Sequence, residues 1–77
     1  MENTIQHIEK KYNIVFDASY DNHKHIIINI FNNNDTTISE TNDPIILNII
    51  GLYYQFKKKD YEQMKKYYLM AIIVSPV

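Results

Sequence analysis

The chain has 77 residues, a formal net charge of −1 and no cysteine, so it reads as one domain that lacks disulfides and thiolate-bound zinc, the usual staples of small folds. At this size a single apolar core supplies only about 3–5 kcal/mol, so the core must be nearly complete or completed by a partner. A single glycine excludes the phosphate-cradling loops of P-loop and dinucleotide-binding proteins, and eight lysines with no arginine argue against bidentate, sequence-specific reading of nucleic acid.

Isoleucine occurs 14 times, asparagine nine times and tyrosine seven times. Those residues follow AT-rich codons, which points to a compositionally biased genome such as that of a giant virus, a parasite or an amoeba. Asn32, Asn33 and Asn34 are then read as products of mutation pressure. The first residues, MENTIQHIEKKY, lack the apolar stretch of a signal peptide, and no window approaches the roughly 18 apolar residues of a membrane span. The expectation is an intracellular, cytoplasmic protein, in the host cytoplasm if viral, with no membrane partner. Charge is uneven: residues 1–43 carry seven acids against three lysines, and residues 44–77 five lysines against two acids. A contact between the two halves, within one chain or head to tail, is therefore electrostatically favourable, although exposed pairs contribute only about 0–1 kcal/mol each.

In chain order, residues 3–12 come first, where Ile5, Ile8 and Tyr12 share one helical face and Asn3 or Thr4 serves as cap. Residues 13–31 mix β-formers with turn residues. Asn13–Ala18 and His25–Phe31 flank Ser19-Tyr20-Asp21-Asn22, and the first reading is a β-hairpin. The alternative is a helix over residues 21–31, because short apolar runs are not assigned by periodicity alone. Residues 32–42 read as a polar linker.

Asp43-Pro44 is a helix start signal: Asp accepts backbone hydrogen bonds as N-cap, and Pro occupies a first-turn position whose amide is unpaired anyway. Helix A is expected from Pro44 to Phe56. Lys57, Lys58 and Lys59 then lie at its negative dipole end, and Asp60 caps a helix B over Tyr61–Val74, with Glu62 in its first turn and Pro76 beyond its end. So short a turn makes the two helices antiparallel. Helix A is apolar nearly all round, with only Asn48 and Gln55 polar, and must be covered on both sides. Met64, Tyr67, Tyr68 and Ala71 of helix B are expected to cover one side, and Ile5, Ile8, Phe16, Ile28 and Ile30 the other.

The spacing Leu47, Ile50, Gly51, Tyr54 resembles the W-x2-L-G-x2-Y pattern of tetratricopeptide repeats, and Met64, Tyr68 and Ala71 followed by Pro76 match its helix B positions, with Met for the first Ala. Gly51-Leu52-Tyr53-Tyr54-Gln55 together with Asp60–Ile72 is similar to the Sel-like variant found in arrays of giant-virus proteins. The likeness covers about 33 of the 77 residues. It departs from the family in a turn one residue longer, Lys57–Lys59 where glycine is usual, and in the ending Ile73-Val74-Ser75-Pro76-Val77, with no second repeat. Repeats of this kind need about three copies for a continuous core, so a lone one is capped by residues 1–42, by a second copy or by a partner. The resemblance implies structural roles for Leu47, Ile50, Gly51, Tyr54, Met64, Tyr68 and Ala71. It also implies a ligand-receiving surface on helix A, with Asn48, Leu52 and Gln55 as candidate contacts.

Catalytic chemistry is not visible. His23-x-His25 with His7, Asp17 and Asp21 lacks the spacing of a metal site. Ser19, Ser39 and Ser75 have no nucleophile elbow around them, and Asp17 and Asp21 read as turn solvation. The lysines from Lys57 to Lys66, interleaved with Tyr61, Tyr67 and Tyr68, could draw single-stranded nucleic acid by phosphate attraction and stacking. The overall expectation is a mainly α protein. Residues 1–42 act as a helical and hairpin cap, α+β overall if the hairpin forms, and residues 43–77 form the helix-turn-helix unit. It is expected to be no enzyme, to use no metal or cofactor, and to serve protein–protein association, including homo-oligomers. The alternatives are weak nonspecific nucleic-acid binding or origin as a fragment of a longer repeat protein.

Overall fold

A computed structural model describes residues 5–34 and 41–74. Asn3, Thr4, Ser39, Ser75 and Pro76 lie outside the described residues. The elements in order are helix α1 (Ile5–Tyr12), a 3-10 helix (Ala18–His23), α2 (Lys24–Asn33), α3 (Pro44–Leu52) running into a π-helical turn (Tyr53–Lys58), and α4 (Tyr61–Val74). The protein is thus mainly α.

Helix α1 ends at Asn13, whose φ of 58° is left-handed, a conformation that asparagine tolerates better than most residues. The returning chain is fastened by one residue: the Glu9 carbonyl accepts from the Ile14 amide at 3.0 Å and the Glu9 carboxylate from the Phe16 amide at 2.8 Å. That places Ile14 in the core and Phe16 against it.

No strand occurs among the described residues, and the β-hairpin expected over residues 13–31 does not form. The segment read as its turn is the 3-10 helix, opened by Asp17, whose carboxylate accepts from the Ser19 amide at 3.0 Å and from the Ser19 hydroxyl. The segment read as its second strand is α2. The reason is burial: Ile27, Ile30 and Phe31 are all fully buried while Asn29 is exposed. Strand alternation would place Asn29 on the same face as Ile27 and Phe31, whereas a 3.6-residue period places the three apolar residues together. The alternative helix over residues 21–31 is therefore close to what forms. Asn34, left-handed at φ 54°, ends it, its amide donating to the Asn29 carbonyl.

Asp43 caps α3 as expected, its Oδ1 accepting from the Ile45 amide at 2.9 Å, with Pro44 in the first turn. The α-helix stops at Leu52 and widens into a π turn through Lys58 in place of the regular helix expected to Phe56. Such a turn absorbs one additional residue in a helix, which accounts for the longer connection to α4. The Tyr54 carbonyl closes it, accepting from the amides of Lys59 and Asp60. Helix α4 has the expected bounds, and Asp60 caps it: its Oδ1 accepts from the Gln63 amide at 3.2 Å and its carbonyl from the Met64 amide at 3.0 Å.

Packing runs α1 on α2, α2 on α3, and α3 on α4. Helix α3, with Leu47, Ile49 and Ile50 fully buried, is therefore covered from both sides. On the N-terminal side, Ile8 and Ile30 are fully buried and Ile5, Phe16 and Ile28 pack against the core as expected; Ile27 and Phe31 join them. Aromatic rings link the layers: Phe31 of α2 meets Tyr12 of α1 at 5.4 Å and Tyr53 at 5.9 Å between centroids, Tyr53 meets Tyr54 at 5.1 Å, and Tyr54 stacks on Tyr67 of α4 at 5.6 Å. No described helix is long and apolar enough to cross a membrane.

Candidate interaction surface

Four of the seven residues expected to form the repeat core, Leu47, Ile50, Gly51 and Ala71, are buried; Tyr54, Met64 and Tyr68 are half-buried. Gly51 is where α4 comes closest. A Cβ built there would lie 2.4 Å from Tyr68 Cε1 and 2.6 Å from Cδ1, so the absent side chain is what admits the Tyr68 ring. The Tyr68 hydroxyl donates to Gln55 Oε1 at 2.8 Å and fixes the ring in that notch. The tyrosines buried deepest are Tyr53 and Tyr67. The family spacing emphasises Tyr54 and Tyr68, but simple helix arithmetic finds the other pair: Tyr53 follows Ile49 and Ile50 by four and three residues, and Tyr67 precedes Ala71 by four.

The polar groups serve the fold. His23 Nε2 lies 3.0 Å from Asp43 Oδ2, so one carboxylate both caps α3 and ties down the start of α2. Burial pushes the Asp43 carboxyl up, but hydrogen bonds from His23 and the Ile45 amide, with the His23 charge and the Ile46 amide, outweigh it and hold the group below the usual range. His23 Nδ1 is buried without a partner among the described residues, His25 is exposed on α2, and no cluster fit for a metal ion occurs among the described residues. Asp21 is exposed on the 3-10 helix, and the Asp17 carboxyl is held low by its bonds from Ser19.

Sequence reasoning placed Lys57 at the dipole end of helix A. It stands there, in the last turn before α4, and its ammonium also donates to the Phe31 carbonyl, one of the last carbonyls of α2, which lack intrahelical partners. Burial holds the Lys57 pKa below its ordinary value, with the charges of Lys11 and Lys58 adding to the effect. Lys58, Lys59, Lys65 and Lys66 are exposed. Of the interleaved tyrosines, Tyr67 is buried and stacked, Tyr68 is held by Gln55, and Tyr61 is open.

The candidate contacts Asn48, Leu52 and Gln55 are all half-buried, with Leu52 packed against the core. More open is the outward face of α4, where Leu69, Ile72 and Ile73 are 59, 70 and 76% exposed. They fall at i, i+3 and i+4 and so form one patch. Lys65 and Lys66 continue the same face one turn earlier, with Glu62 before them. Sequence reasoning ended helix B at Val74 and assigned Met64, Tyr67, Tyr68 and Ala71 to its inner face but did not name the apolar row outside it; the 3.6 period places Leu69, Ile72 and Ile73 opposite Tyr67 and Ala71. At the other end of the packing order, α1, the 3-10 helix and α2 enclose an open cleft of about 400 Å³. It is floored by Ile5, Phe16 and Ile28 and edged by Gln6, Glu9, Asp21 and Lys24.

No family model, no curated protein and no solved structure matches the chain.

Proposed function

We propose that this chain is a non-catalytic protein–protein interaction module built on a single helical hairpin of tetratricopeptide, Sel-like type over residues 44–76. The observation that carries the reading is the row Leu69, Ile72 and Ile73, three large aliphatic side chains turned to solvent on one helix face. Single exposed aliphatics are ordinary, whereas these three adjoin on one face, and it is contiguous apolar surface beyond a few hundred Å² that marks contact sites. The Gly51 notch supports the hairpin type, since it performs the close helix approach for which the repeat pattern uses glycine. Asn48, Leu52 and Gln55 remain the contacts that the resemblance implies on the other helix; of these, Gln55 is already bonded to Tyr68.

The test is binding of proteins to the immobilised chain, wild type against Ile72→Asp. A saturable protein partner, another copy included, whose affinity falls tenfold or more in the variant is the expected result. Ile72 is exposed, so helicity should be unchanged. Binding that is indifferent to Ile72→Asp refutes the assignment of this face. Leu52→Asp interrogates the α3 side in the same assay, with circular dichroism alongside because Leu52 also packs on the core.

Nonspecific nucleic-acid binding through Lys57–Lys66 has less support. Lys57 is committed to Phe31, and two of the three interleaved rings are engaged within the fold, leaving phosphate attraction as the main contribution. Such binding would fall steeply with ionic strength.

A further inference from the structure

We infer that this chain associates with further copies of itself head to tail, the outward face of α4 in one copy seating against the cleft of α1, the 3-10 helix and α2 in the next. This rests on the interaction reading above and names its partner. The two surfaces belong to the terminal layers, since α1 packs on α2 and α4 on α3. Large apolar side chains that stay exposed gather on α4, at Tyr61, Leu69, Ile72 and Ile73, and the cleft has an apolar floor of Ile5, Phe16 and Ile28.

Charge selects the pairing. The cleft carries Glu9 and Asp21 against Lys24, a net charge of −1. The α4 face carries Lys65 and Lys66 against Glu62. One surface is therefore acidic over an apolar floor, and the other is basic beside an apolar row. Complementary potentials of this kind set register and suppress wrong partners. A contact between two α4 faces would instead gather four lysines against two glutamates on one interface and leave the cleft uncovered.

Size sets the strength. Three exposed aliphatic side chains on one surface and three partly buried apolar ones on the other make a contact smaller than the roughly 1,200–2,000 Å² that stable complexes bury in total. Association is thus weak and concentration-dependent. Because the joined surfaces differ, each added copy leaves one of each free, and growth has no fixed stoichiometry unless a ring closes.

The experiment is sedimentation equilibrium on the full chain from about 10 µM to 1 mM, a span suited to micromolar affinity, with circular dichroism to confirm folding. The average mass should rise above the 9.2 kDa monomer. Two exposed-site variants, Gln6→Lys/Asp21→Lys at the cleft and Ile72→Asp/Ile73→Asp on α4, should each stay monomeric. Mixed in equal amounts they should form a dimer of about twice 9.2 kDa, because each retains the surface that the other lacks. Lys65→Glu/Lys66→Glu, which leaves the apolar row intact, should also lose association. The inference is overturned by a wild-type chain that is monomeric throughout, by a cleft variant that still dimerises alone, by a mixture that stays monomeric, or by unaltered association of the lysine variant. If a different protein still binds in an Ile72-dependent way, the interaction reading survives that failure; if nothing does, both fall.

Discussion

Gly51 concentrates two opposed effects at one position. In an exposed helix, replacing glycine by alanine stabilises by about 1 kcal/mol through lower chain entropy. Here the added methyl would overlap the Tyr68 ring at 2.4 Å, and that ring is held at its far end by Gln55. Overpacking of this kind costs about 1–3 kcal/mol, so the clash wins. Gly51→Ala is expected to destabilise by about 1 kcal/mol, lowering Tm by about 4–8 °C for a domain of this size. Once Tyr68→Ala has emptied the notch, the same Gly51→Ala change should become neutral or stabilising. Thermal unfolding of the four chains of this double-mutant cycle decides it, and a Gly51→Ala chain that melts above wild type would show that the ring simply moves aside.

Helix ends show where sequence was legible and where it was not. Local side-chain chemistry was readable: Asp43 and Asp60 cap the helices they precede, and α4 starts where that chemistry says. The 13–31 segment was not, because its strand and helix readings differ by which face Asn29 shares, and burial of Ile27, Ile30 and Phe31 in the core that α2 shares with α1 and α3 decides that. Asn34, in a run ascribed to mutation pressure, is a left-handed helix end, as is Asn13. The cleft was beyond reach because it joins residues as distant as Ile5 and Ile28. The outer row of α4, by contrast, was present in the helical period. A third left-handed end is Lys59, at φ 58°. A β-carbon in that conformation costs about 1–2 kcal/mol, partly offset by the greater unfolded-state entropy of glycine. Lys59→Gly should therefore stabilise by about 0.5–1 kcal/mol, whereas Lys58→Gly, inside the π turn, should destabilise. Chemical denaturation of the pair measures both signs, and equal effects would refute the backbone argument.

Across the whole molecule, the tyrosines that join the layers also set a limit on the alkaline side. Burial raises the pKa of Tyr20, Tyr53 and Tyr68, with smaller charge effects from Asp17, Tyr12 and Tyr20 respectively. For a group whose folded pKa is raised, the stabilisation is complete below the unfolded value, about 10, and is lost as pH climbs through the folded value. Two of these hydroxyls are also donors, Tyr53 to Asn34 at 3.1 Å and Tyr68 to Gln55 at 2.8 Å, and ionisation removes the donated proton. Lys57 acts in the opposite sense: its lowered pKa means that the unfolded chain holds the extra proton up to about 10.5, so stability gains there as pH rises. The lysine gain is complete by about pH 10.5, whereas the tyrosine losses continue up to their folded values, so the slope turns negative as pH climbs. On the acid side, Asp17 and Asp43 are held low, so their contribution is present above their ordinary value of 3.8 and is lost as pH falls through the folded values. Melting temperature followed by circular dichroism should accordingly drop above about pH 10 and again below about pH 4. Tyr53→Phe and Tyr68→Phe should each flatten the alkaline arm, and Asp43→Asn, which keeps a capping oxygen, should flatten the acid arm while leaving the alkaline one unchanged. An alkaline arm of the same steepness in the double Tyr→Phe variant would mean that the limit lies elsewhere in the molecule than in the rings between its helices.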